Sequence, residues 1–302
     1  MTSLIFLIAC QQEPASWTPA EPWSEVEVQA PELVLSDLAD PRGIAVVGDT
    51  LVIAEYGGGR VLTVDDGVVE ELATELANPY MLDANEDYIV VSERGGGRVL
   101  ALRGDTQTIV AEGLTTPGRI VLEGSEAWWL DEGTSSLWHA DLEAETSEIL
   151  RDGLDSPLGL DVADRLVYLA ERGDLNRVIT VDSETLAEEV VRAVAETPMD
   201  VVVGNLQAYF SARSFRWPYG GFIYGESGSG LCESPPGLQW LTVNDAHVYW
   251  SSNQSISRVA LDKDTYELVV LQTAVGDLAL GEDALFWTDR QRGQVLTVTT
   301  GP

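Results

Sequence analysis

Leu51-Val52-Ile53-Ala54-Glu55-Tyr56-Gly57-Gly58-Gly59-Arg60-Val61-Leu62-Thr63-Val64 returns 38 residues later as Ile89-Val90-Val91-Ser92-Glu93-Arg94-Gly95-Gly96-Gly97-Arg98-Val99-Leu100-Ala101-Leu102. Each copy is a run of β-branched residues of strand length, a glycine turn, and a second such run. The turn glycines supply the φ > 0 positions that a tight hairpin needs. The same plan recurs in Trp128-Trp129-Leu130-Asp131, Val167-Tyr168-Leu169-Ala170-Glu171, Ala208-Tyr209-Phe210-Ser211-Ala212-Arg213, Val248-Tyr249-Trp250-Ser251-Ser252 and Leu285-Phe286-Trp287-Thr288-Asp289. Turn anchors at Pro41, Pro79, Pro117, Pro157, Pro198, Pro235 and Val275 are spaced by 38, 38, 40, 41, 37 and 40 residues. Four short strands fit in that period. One such sheet cannot cover both its faces alone, so the copies must stack radially. The expectation is an all-β chain: a β-propeller of four-stranded blades, seven by repeat count, with six as the alternative.

The seventh copy ends after its third strand. Glu32-Leu33-Val34-Leu35-Ser36, ahead of the first anchor, resembles the fourth strand of the second copy, Gln107-Thr108-Ile109-Val110-Ala111. This predicts a ring closed by the N-terminal strand, with residues 31–302 forming a single propeller domain.

The 302 residues include 50 acidic and 17 basic side chains, a formal net charge of −33. So negative a field repels phosphate backbones and argues against nucleic-acid partners. At the N-terminus, Leu4-Ile5-Phe6-Leu7-Ile8-Ala9 is too short to cross a bilayer and reads as the apolar part of a signal peptide, residues 1–9. Leu7-Ile8-Ala9-Cys10 resembles the bacterial lipobox, which implies lipidation of Cys10. Met1-Thr2-Ser3 departs from that pattern in lacking Lys or Arg. Residues 10–30 carry Pro14, Pro19, Pro22 and several glutamates without periodicity, as a flexible linker does. Gln11 after the Cys resembles the outer-membrane sorting pattern, which implies a cell-envelope lipoprotein held to the membrane by its lipid. Cys232 then lacks a disulfide partner.

Three sets of residues are candidates for function. The second-strand ends Glu55, Glu93, Asp131, Glu171, Arg213, Ser252 and Asp289 form either a cation-binding rim or one arm of cross-strand pairs with Arg60, Arg98 and Arg177. Asp83, Asp161, Asp200 and Asp277 sit near the starts of first strands, with Arg119 and Gln239 in related places. There they could hold Ca²⁺ through oxygen ligands, or cap turns and pair with Arg42 and Arg119. The fifth copy replaces the short turn by Arg213-Ser214-Phe215-Arg216-Trp217-Pro218-Tyr219-Gly220. Arg213, Phe215, Arg216, Trp217 and Tyr219 are residue types that anchor interfaces, so a protein or glycan partner is one reading of this loop and a cap over its own blade the other. The two histidines, His139 and His247, fit neither a zinc site nor a catalytic dyad.

Leu285-Phe286-Trp287-Thr288-Asp289 and Val248-Tyr249-Trp250-Ser251-Ser252 resemble degenerate Tyr-Trp-Thr-Asp propeller motifs. Pro41-Arg42-Gly43-Ile44-Ala45-Val46, with Val52-Ile53-Ala54-Glu55 and Arg60-Val61, resembles the NHL repeat. Many propellers of both kinds have six blades, whereas this chain counts seven. The resemblance implies an extracytoplasmic binding or scaffolding module, non-catalytic, with no cofactor. Lactone hydrolases of the regucalcin and paraoxonase type share the architecture and hold Ca²⁺ with Glu, Asn and Asp. Asp200 and Asp277 resemble their Asp, which makes a Ca²⁺-dependent hydrolase the alternative. The matching asparagines are absent, since Thr197 and Gly276 stand nearby.

Overall fold

A computed structural model describes residues 28–204, 207–214, 220–226, 230–234, 237–262, 266–272 and 274–300. Every regular element among them is a strand. The first blade runs β2 (Pro41–Val47), β3 (Thr50–Glu55), β4 (Arg60–Asp65) and β5 (Val68–Ala73) from the inside out. The second holds β6 (Pro79–Ala84), β7 (Ile89–Glu93), β8 (Arg98–Arg103) and β9 (Thr106–Glu112); the third holds β10 (Pro117–Glu123), β11 (Glu126–Asp131), β12 (Ser136–Asp141) and β13 (Thr146–Arg151). The fourth holds β14 (Pro157–Ala163), β15 (Leu166–Glu171), β16 (Arg177–Asp182) and β17 (Glu188–Ala193); the fifth holds β18 (Thr197–Val203), β19 (Ala208–Arg213), β20 (Gly221–Gly225) and β21 (Gly230–Ser234). The sixth holds β22 (Leu241–Val243), β23 (His247–Ser251), β24 (Ser255–Ala260) and β25 (Tyr266–Leu271). The seventh holds β26 (Val275–Leu280), β27 (Ala284–Asp289) and β28 (Gln294–Thr299), and its outer strand is β1 (Glu32–Leu35). The fold is therefore a seven-bladed β-propeller.

Ring closure by the N-terminal strand is present as expected. Glu32 stands opposite Thr297 and Leu33 opposite Leu296. The core lies between blades: Ala54, Val61 and Leu76 of the first meet Leu82, Val91 and Leu100 of the second. The aromatic second strands are sunk completely, with Trp129, Trp250 and Trp287 at 0% exposure, because both faces of those strands touch a neighbouring blade. The outermost strands β5, β9 and β13 are largely exposed, which suits an edge beside water, whereas β25 of the sixth blade is mostly buried. Gly59 and Gly97 take φ of +66° and +60° in the two glycine turns.

Two places depart from the sequence reading. The sixth blade does not begin at Pro235, which lies outside the described residues. Gln239 donates its amide to Ser251 O and Trp240 donates its own to Ser251 Oγ, which puts Leu238 at the anchor position. Leu238 is fully buried and replaces the proline by packing rather than by dihedral restraint. The second departure is in the fifth blade. Pro198 pairs with Ala212, so Ala212 holds the place of Glu55 and Glu93, and Arg213 falls one residue later.

Glycines mark where inner strands close on one another. A Cβ on Gly43 would lie 2.8 Å from the Leu82 amide nitrogen, and one on Gly159 2.7 Å from the Asp200 Cα. Backbone cannot yield as a flexible side chain does. Gly159→Ala is expected to cost about 1–3 kcal/mol through overpacking. Gly204→Ala meets side-chain atoms at 3.3 Å and should cost far less. Urea unfolding of the two variants measures the difference.

Candidate functional site in the central channel

The four aspartates singled out from sequence all lie on inner strands around the central channel, and each does the same thing. Its Oδ1 accepts the amide of the following residue, and its Oδ2 accepts an amide from the inner strand of the next blade. Asp83 takes Ala84 N at 2.8 Å and Leu122 N at 2.9 Å. Asp161 takes Val162 N at 2.9 Å and Val203 N at 2.6 Å. Asp200 takes Val201 N at 3.0 Å and Leu241 N at 2.9 Å. Asp277 takes Leu278 N at 2.9 Å and, at 3.5 Å, Ile44 N across the ring closure.

The aspartates form two tiers. Ser/Thr hydroxyls define the upper one: Met81, Asp200, Trp240 and Asp277 each donate an amide to Ser92, Ser211, Ser251 or Thr288 at 3.1–3.2 Å. Asp200 and Asp277 thus occupy one repeat position, and Asp83 and Asp161 sit two residues deeper. Arg119 holds the upper position in the third blade. It reaches across the channel to Asp277 at 3.5 Å and Asp200 at 4.0 Å, and feels Asp161 and Asp83 as well. Gln239, expected in a related place, stands one residue earlier, with Trp240 in the upper position and its ring 5.6 Å from the Arg119 guanidinium carbon.

One arginine thus faces four carboxylates, and with Asp83, Asp161 and Asp277 it lines a cavity of about 230 Å³, walled also by Met81, Thr242 and Leu280. The charges do not balance. Burial pushes Asp161 up to about 7 and Asp277 up to about 6, with Arg119 and the backbone amides working against it. Asp83 and Asp200 move in the same direction for the same reason. Among the described residues, no group of three or more His, Cys, Asp or Glu side chains stands where it could hold a metal ion.

The rim at the second-strand ends is consumed structurally. Glu55 pairs with Arg60 and accepts Ala39 N, and Glu93 pairs with Arg98 and accepts Ala77 N. Glu171 pairs with Arg177 at 2.5 Å and accepts Asp155 N, and Asp131 accepts Thr115 N and Thr116 N. All four carboxylates are buried. Each ties the loop entering its own blade to that blade's first hairpin. The expected cross-strand pairs are present.

No protein-family model matches the sequence, and no curated protein matches it. Solved structures do. A streptogramin B lyase structure superposes with TM-score 0.71 at 15% identity, over 89% of this chain and 96% of that one. A gluconolactonase from Xanthomonas campestris gives 0.61 at 14% identity, over 88% of each chain. The nidogen/laminin complex gives 0.54 at 14% identity, over 65% of this chain and 80% of that one. At such identities the likeness is one of fold, and the structures it joins include a lyase, a gluconolactonase and a protein complex.

Above the upper tier the channel opens on the face that carries the anchors and the second-to-third-strand turns. Here the residue after each second-strand end forms a ring that sequence inspection missed. It reads Tyr56, Arg94, Glu132, Arg172, Arg213, Asn253 and Arg290 by repeat position. The Ser/Thr column above was the signal that would have found it. Arg42 and Arg290 share Asp40, at 2.8 and 3.1 Å, and hold its carboxyl below the usual range although burial pulls the other way. Arg42 also lies 4.8 Å from the centre of the Tyr56 ring, and Arg94 4.0 Å from that of Tyr80. Arg94 bonds Glu132 at 2.6 Å. Arg213, from the expected binding set, donates to Leu238 O at 2.6 Å. Phe215, Arg216, Trp217 and Tyr219 lie outside the described residues, as does Cys10.

The channel carboxylates make a signed prediction. An Asp raised above its unfolded value binds a proton in the native state that the unfolded state has lost. Its contribution is full below about pH 4, and it fades as pH rises through about 7 for Asp161 and about 6 for Asp277. The melting temperature should therefore fall between pH 5 and 8. Asp161→Asn, which carries no charge to bury, should show a shallower fall in scanning calorimetry across that range. Arg119→Met, which strips the aspartates of their cation, should show a steeper one.

Proposed function

We propose that this chain is a non-catalytic binding propeller of the bacterial cell envelope, tethered through a lipid on Cys10 to what the sorting pattern makes the outer membrane, and that it takes a protein or glycan partner on its anchor face. One observation carries this reading. The channel aspartates, the residues a metal-assisted hydrolase would use, each spend both oxygens on backbone amides of two blades. Arginine and carboxylate side chains that bond mainly one another, Arg42, Arg290, Asp40, Arg94 and Glu132 among them, collect instead on the anchor face. A rigid ring displaying arginine and aromatic residues at loop positions is suited to recognition.

Two measurements test it. Cys10→Ser should move the protein from the membrane fraction to the soluble one and abolish incorporation of a fatty-acid analogue; an unlabelled, soluble wild type would overturn the anchor. Trp217→Ala should weaken capture of a defined envelope glycan or protein by about 2 kcal/mol or more, with an unchanged melting temperature. A lowered melting temperature with capture intact would make the fifth-blade turn a structural cap. Calcium is the arm that separates the two functional readings. Saturable Ca²⁺ binding, lost in Asp200→Asn together with lactone hydrolysis, would replace the binding reading by the hydrolase.

A further inference from the structure

The chain carries three acidic residues for nearly every basic one, so an arginine without a carboxylate partner is the exception in it. Most arginines here are paired: Arg60, Arg98 and Arg177 with second-strand glutamates, Arg151 with Glu188, Arg165 with Glu184, Arg258 with Glu267, and Arg292 with Asp289. On the anchor face Arg42 and Arg290 divide Asp40, and Arg94 holds Glu132.

Among the described residues four arginines make no ion pair: Arg103 and Arg192, which lie over the Tyr88 and Tyr224 rings, and Arg172 and Arg213, which stand on neighbouring blades. The last two occupy the same repeat position in blades four and five, next to each other round the mouth. Among the described residues neither makes an ion pair. Arg172 is exposed and its guanidinium makes no hydrogen bond there. The carboxylate it senses is Glu132, which Arg94 already bonds. Arg213 spends one nitrogen on a neutral acceptor, Leu238 O. Burial, and after it the charge of Arg172, pushes the Arg213 guanidinium below its ordinary value. Two like charges on neighbouring blades that sense one another are unfavourable in the empty protein. An anion between them removes the repulsion and gains fork-shaped hydrogen bonds that lysine could not supply.

We infer that Arg172 and Arg213 form an oxyanion subsite on the anchor face, taking a carboxylate, sulfate or phosphate group of the bound ligand. This rests on the anchor face being the binding face and adds the chemistry of what binds there. The protein's own negative field works against any anion at a distance, so recognition must come from short-range contact at these two guanidinia. Weakly charged ligands that place one oxyanion group here are favoured over polyanions.

The test is calorimetric titration of the full chain at low ionic strength with three separate probes: inorganic phosphate, sulfate and glucuronate. At least one should saturate with one-site stoichiometry, and the arm that binds most tightly names the source, an acidic sugar or side chain against a phosphorylated or sulfated group. Arg172→Glu, an exposed position whose change leaves the fold intact, should weaken that binding about tenfold or more, the loss of one charge-assisted contact. Arg213→Lys keeps the charge and loses the fork, and should weaken it as well. Arg165→Glu, a surface arginine of the same blade as Arg172, should not. No saturation in any arm, unchanged affinity in Arg172→Glu, or equal loss in Arg165→Glu would overturn the subsite. Loss of the subsite leaves partner capture through the Trp217 turn untouched, so the two proposals fail separately.

Discussion

The bond from an inner-strand aspartate to a backbone amide of the next blade is the contact on which this ring depends. Sheets in a propeller are held side by side mainly by apolar packing, which is strong and indifferent to register. A carboxylate that bonds one amide in its own strand and one in its neighbour fixes the offset between two blades to a single value. Asp83, Asp161, Asp200 and Asp277 do this at four of the seven junctions, the closing one between blades seven and one among them. Where glycine stands instead, as at Gly43, adjacent backbones approach directly. The two devices solve the same problem by opposite means, one by a bridge and one by removing what would need bridging.

Stapling with charged groups has a cost that shapes the rest of the channel. Burial disfavours the charged form of all four carboxylates, and Arg119 offsets part of that from the upper-tier position in the third blade. The remainder appears as aspartates with a raised affinity for protons. Glutamates at the second-strand ends solve a similar problem differently, since each has an arginine partner of its own at the solvent edge.

Blade number, strand order and ring closure were legible in the sequence because each depends on residues close together in the chain. Apolar strand, glycine turn and apolar strand make a hairpin whatever surrounds them, and Glu32–Leu35 could be matched to an absent fourth strand by its pattern alone. The pairing of Glu55, Glu93 and Glu171 with arginines was legible for the same reason, being set by a hairpin. The partners of the aspartates were not. Asp161 bonds Val203, on another blade, and that neighbour is chosen by the geometry of the ring rather than by any local pattern. A one-residue slip hid the arginine ring: Arg213 follows a Ser-Ala pair where blades two and seven have Ser-Glu and Thr-Asp, so it passed for the strand end. The sixth-blade anchor was missed because Leu238 does by burial what proline does elsewhere.

Closure of the ring by β1 has a consequence for how the molecule is made. Blades one to six each hold their four strands within one stretch of chain, so each can form as soon as that stretch is available. The strand that begins at Glu32 is synthesised before all of them, yet its partner, β28, is the last strand of the propeller to appear. Until β28 has been made this short strand lacks its native neighbour, and the apolar flank of the seventh blade cannot be covered from it before then. Closing a contact of such long sequence separation is slow compared with forming the hairpins. The first piece of the propeller to exist is the last to take its place.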